Sequence, residues 1–128
     1  MPNVISLPTA AAVLDLDTAY RQAWLALTLA EVREWLLAQP LHRVVGRSRS
    51  ATGGVLATYL AWVTPTFWCV SHHYLWRLHD AEALARPLPD WAVAFVRGED
   101  RYGDMITVAD ALNLLDRLAA QPAAVEVR

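Results

Sequence analysis

From Ser50 to Trp76 the chain runs for 27 residues without a formal charge, bracketed by Arg49 and Arg77. The run carries Val55, Leu56, Tyr59, Leu60, Trp62, Val63, Phe67, Trp68, Val70, Tyr74, Leu75 and Trp76. About 20 mainly apolar residues cross a bilayer, so a membrane span has to be weighed first. Pro65 divides the run, and Ser50, Thr52, Gly53, Gly54, Ser71, His72 and His73 make its ends polar. The strongly apolar part, Val55 to Val70, is 16 residues with a proline and three threonines inside. That is the length and make-up of a buried core segment. The flanking sequence reads as amphipathic helix, whose apolar faces this segment would cover.

At 128 residues the chain fits a single domain, 1–128, large enough to bury a core without disulfides or a metal. Hydrophobic content of 55% and charge of 19% exclude intrinsic disorder. A net charge of −2 gives no global field toward nucleic acid or anionic lipid. The single cysteine, Cys69, excludes an internal disulfide and fits a reducing compartment. The Met1–Ile5 start has no basic region of a signal peptide, so the expected location is cytoplasmic.

Residues 1–16 are apolar but unpatterned and read as an extended arm; 123–128 read as a mobile tail. Asp17 or Thr18 is the expected N-cap of the first helix. Leu25, Leu29, Val32 and Leu36 recur at the helical period, with Tyr20, Trp24 and Trp35 widening the stripe. Thr28 and Glu31 form a capping box, so Thr18–Gln39 is one long helix or two with a break near Leu27. Val44–Val45 suggests a short strand, and Gly54–Val63 a helix that Pro65 ends. Thr66–Leu78 reads as strand from its aromatic and β-branched content, with Trp68, Val70, His72, Tyr74, Trp76 and Leu78 on one face. At the helical period Trp68, His72, Leu75 and His79 also align. Pro89 opens a further helix with Gly98 as its C′ residue. Thr107 and Asp110 announce the last helix, Val108–Ala120.

Four constellations bear on function. Arg43, Arg47 and Arg49 run into Ser50, Thr52, Gly53, Gly54 and a helix start. There, free N–H groups and the positive end of the helix dipole suit an anion, and arginine suits phosphate or carboxylate. The spacing is not that of a Walker A loop, and the alternative is a solvated loop pairing with the acidic 99–104 segment. Cys69, His72, His73 and His79 raise a zinc reading. On a strand Cys69 and His73 stand about four rises of ~3.3 Å apart, too far for one ion, so no metal is expected. Cys69 or Ser71 could serve a nucleophile only with a geometry no local signature announces, and Cys69 in an apolar run reads as a small buried hydrophobe. The six tryptophans exceed what a small core needs, which marks Trp24, Trp35, Trp68 and Trp76 as interface candidates.

The expectation is an α+β domain with three to four helices packed on a small antiparallel sheet around Thr66–Leu78. The expected function is a non-catalytic protein-binding or assembly module, self-associating or binding a protein partner through exposed aromatics and the Arg-rich loop. No cofactor is implied. The alternative is nucleic-acid or phosphate-ligand binding through Arg43–Arg49 and the following helix N-terminus. A small enzyme or metal protein using Cys69 and nearby histidines comes third.

Overall fold

The computed structural model describes residues 15–120. Of the expected arm, 1–14 lies outside the described residues, as does the expected tail. Asp15 opens the first helix, α1 (Leu16–Ala26), by accepting the Thr18 N–H at 2.8 Å, two residues before the expected cap. α1 stops at Leu27, and Thr28 caps α2 (Leu29–Leu37), its Oγ1 accepting the Glu31 N–H at 3.1 Å. The break resets the helical phase. The buried stripe of α1 is therefore Ala19, Tyr20, Ala23 and Leu27, while Leu25, expected in one stripe with Leu29, is 67% exposed. Two carbonyls freed at the bend are taken by aromatic side chains from elsewhere. The Ala26 C=O accepts from the Tyr59 hydroxyl at 2.6 Å, and the Leu27 C=O from the Trp91 indole at 3.1 Å.

β1 (Val44–Arg47) pairs antiparallel with β5 (Met105–Thr107) as a two-stranded sheet. Gly46 lies where β1 crosses the start of α3 (Val55–Val63); a Cβ there would sit 2.5 Å from the Val55 nitrogen. The second sheet has the order β2 (Trp68–Val70), β3 (Tyr74–Arg77), β4 (Arg86–Pro87). Thr66–Leu78, expected as strand, thus holds the strands Trp68–Val70 and Tyr74–Arg77, folded into a hairpin. The Ser71 N–H donates to the Tyr74 C=O at 2.8 Å, and Ser71 Oγ accepts the Tyr74 N–H at 3.2 Å.

That turn changes the parity of the alternation. Trp68 pairs with Arg77, Cys69 with Trp76 and Val70 with Leu75, and directly opposed residues share a face. Leu75 therefore joins Trp68 and Val70 on the core side, where all three are buried. Trp76, expected beside Trp68, lies on the other face with Cys69. A Leu78 N–H to Phe67 C=O bond of 3.0 Å carries the ladder one pair further on that outer face.

α4 (Asp90–Glu99) has Pro89 as its N-cap and runs one residue past Gly98. Gly98 is therefore not a C′ residue. It is small because Leu114 of α5 (Val108–Ala120) packs there, with Cδ1 2.5 Å from where a Cβ would stand. Thr107 and Asp110 cap α5 reciprocally, each backbone N–H donating 3.1 Å to the other's side chain. Five helices and two small antiparallel sheets make the described residues an α+β fold. Val55, Leu56, Tyr59, Leu60, Trp68, Val70 and Leu75 of the middle run sit in its core. No helix among the described residues is long and apolar enough to cross a membrane.

Candidate functional site

The Arg-rich loop is shaped by its own backbone. The Arg47 N–H donates to the Gly53 C=O at 2.8 Å, the Gly53 N–H to Ser50 Oγ at 2.9 Å, and the Val70 N–H to the Ala51 C=O at 2.8 Å. Ser50 and Gly53 are thereby committed to the turn, while Thr52 is exposed. Arg49 holds a left-handed backbone with φ of 57°, a conformation that L side chains adopt at a cost. Its guanidinium lies 3.6 Å from the Asp104 carboxylate, both ends largely in solvent. Arg43 and Arg47 are exposed and form no ion pair among the described residues.

Gly54 caps α3 with no side-chain group. The missing acceptor comes from α4: the Val55 N–H donates to Glu99 Oε2 at 3.2 Å. Glu99 is only 3% exposed, and burial pushes its carboxyl up to about 8, with the Val55 N–H opposing and Asp100 reinforcing the rise. At neutral pH Glu99 is therefore mainly protonated. Glu99 is among the residues lining a cavity of about 260 Å³, with Arg49, Ser50, Gly54, Leu56, Ala57, Val70, Ser71, His72, Val96 and Asp100. Asp100 Oδ2 is 3.0 Å from His72 Nε2.

A second depression, of about 530 Å³, is lined by residues of α3 and of the segment around the β2–β3 hairpin. Trp62, Phe67 and Leu78 frame it, 74%, 60% and 46% exposed. Thr52, Ala57, Thr58, Ala61 and Trp68 contribute the rest of its wall, and no charged side chain lines it.

Of the tryptophans expected at a surface, Trp24 is half exposed and Trp35 and Trp76 are half-buried. Trp68 is core instead. It stands edge-on to Tyr20 at 5.1 Å, and its indole N–H is satisfied by Thr64 Oγ1 at 2.9 Å. Trp62, in the run read as the spine of the core but not on the expected Val55, Leu56, Tyr59, Leu60, Val63 face of its helix, is the most exposed large hydrophobic side chain among the described residues, and Val63 of that face is exposed too. The position of Trp62 on α3, two residues after the buried Leu60, turns it away from the core. Glu99 was also missed. The available signals were an acid pair, Glu99–Asp100, at the dipole-disfavoured end of a helix, and a helix start at Gly54 lacking a capping side chain.

Cys69 is buried, and burial with the nearby Glu82 charge pushes its thiol up, away from nucleophilic thiolate. Ser71 Oγ is engaged with the Tyr74 backbone. Among the described residues no three His, Cys, Asp or Glu side chains gather to hold a metal ion. Comparison with protein-family models, with curated proteins and with solved structures finds no match.

Proposed function

We propose that the chain is a non-catalytic assembly module that joins to a second copy of itself through the Trp62–Phe67–Leu78 face. The observation that carries this reading is a 74% exposed tryptophan beside a groove of about 530 Å³ with no charged residue in its wall. Tryptophan is the residue type that most often anchors an interface, and a large apolar patch on a single chain is otherwise a liability. A second copy suits this face for two reasons. It offers both a projecting ring and a hollow, so a two-fold axis seats each Trp62 in the other chain's groove. It also carries no charge, so two chains of net −2 meet there without direct repulsion.

The alternative through Arg43–Arg49 draws less support, since Glu99 already takes the first N–H of α3 and Asp104 lies beside Arg49.

Sedimentation equilibrium from 1 µM to 1 mM, orders of magnitude chosen to bracket weak and stable dimers, tests the reading. A dimer is expected for the native chain, and a monomer for Trp62→Glu with its melting temperature at low concentration unchanged. A native chain that stays monomeric throughout, or a Trp62→Glu variant that dimerises equally well, would overturn it.

A further inference from the structure

Trp24 is half exposed, yet it belongs to neither the core nor the assembly face. It ends a stripe of α1, Asp17, Tyr20, Arg21 and Trp24, that lines a further depression of about 430 Å³ together with Leu75, Arg86 and Pro87. None of these residues lines the Trp62 groove, so the two surfaces are separate.

Most of the wall is held in place by its own contacts. Arg86 donates to Asp17 Oδ1 at 2.6 Å, and its guanidinium carbon lies 4.5 Å from the centre of the Tyr20 ring. Tyr20 stands edge-on to Trp68, its hydroxyl donating to the Leu84 C=O at 3.3 Å, and Leu75 is buried. Arg21 is the exception. Asp17 precedes it by four residues, the spacing at which a helix pairs an acid with an arginine. The Asp17 carboxylate goes to Arg86 instead, and the Arg21 side chain takes no hydrogen bond or ion pair among the described residues. Arg21 and Arg86 against Asp17 leave one positive charge uncompensated in the wall.

We propose that this depression binds a small planar aromatic carboxylate, its ring lying on the Trp24 indole and its carboxylate taken by Arg21. A half-exposed indole beside the apolar Leu75 and Pro87 favours a flat ring, which stacks offset on it. An arginine without an acid favours a planar oxyanion that its fork can hold through two N–H groups. One uncompensated charge suits a monoanion, which sets a carboxylate ahead of a phosphate monoester, and it opposes an organic cation. The volume of about 430 Å³ falls within the ~300–1,000 Å³ of small-ligand sites, room for one or two fused rings.

The test is a titration of the full ¹⁵N-labelled chain with sodium benzoate at pH 7, followed by NMR at the Trp24 indole N–H and the Arg21 side-chain N–H. Benzyl alcohol, with the ring and no charge, and sodium acetate, with the charge and no ring, are the controls. Saturable shifts at Trp24 and Arg21 are expected with benzoate, and both controls should bind about tenfold or more weakly, the step a charge-assisted hydrogen bond makes. Arg21→Gln should bind benzoate and benzyl alcohol alike, and Trp24→Ala should lose benzoate by a similar factor. Both positions are exposed, so neither substitution should move the melting temperature appreciably. Benzoate shifts that do not saturate, or that fall equally on Trp62 and the other exposed rings, would overturn the proposal. So would equal affinity for benzyl alcohol, or an Arg21→Gln variant that keeps the preference for benzoate.

Discussion

Glu99 joins two helices by a single carboxyl, and its protonation is a stability term. Its folded value of about 8 lies above the ordinary 4.5, so between those values the folded chain holds a proton that the unfolded chain has released. Stability is therefore full below the ordinary carboxylate range and declines as pH rises toward the folded value, by at most ~1.4 kcal/mol per pH unit. Over the window this amounts to a few kcal/mol in magnitude. Urea denaturation at pH 5 and pH 8.5 should show the native chain losing that much more stability than Glu99→Gln. Parallel curves for the two proteins would mean that Glu99 is ionised in the fold. Tyr59 illustrates the same physics without a function. Its hydroxyl is pushed up to about 12 by burial and the Glu31 charge, and it serves to hold the Ala26 carbonyl at the helix break.

At the scale of elements, α3 and β2 carry tryptophans of opposite fate. Trp68→Ala should cost ~3–5 kcal/mol, the range for removing a large buried side chain, because it leaves a hole against Tyr20. Trp62→Ala, on an exposed position, should fall within ~0.5 kcal/mol at concentrations where the chain is monomeric. Equal costs in chemical denaturation would mean that Trp68 is not the buried one of the two.

Much of this level is legible in the residues. The Thr28–Glu31 and Thr107–Asp110 capping pairs, the strand character of Thr66–Leu78 and the Val108–Ala120 helix all follow local chemistry. What is not legible depends on contacts between distant parts of the chain. The two-residue turn at His72–His73 reverses which tryptophan faces inward, since an even number of residues between the Ser71–Tyr74 pair puts odd and even positions on the same face. Leu25 is lost from the core stripe because the α1–α2 break is held open by Tyr59 and Trp91. Gly98 looks like a helix stop until Leu114 is packed on it. The cavity was half visible: the Arg49–Gly54 wall and the helix start were read, but its buried acid, 44 residues away from the N–H it caps, was not.

In the whole molecule, the uncharged middle run divides its work. One side, from Val55 to Leu75, is buried under the surrounding helices, and the other presents Trp62 and Phe67 outward beside Leu78, just past the run. The central claim is that this outward side is where two copies meet, and a distance between copies tests it most directly. Mixing ¹³C,¹⁵N-labelled with unlabelled chain and recording isotope-filtered NOEs isolates contacts across the interface. The account predicts NOEs from the Trp62 ring of one copy to the Leu78 methyls and the Phe67 ring of the other. A dimer whose intermolecular NOEs fall elsewhere, with Trp62 showing none, would contradict it.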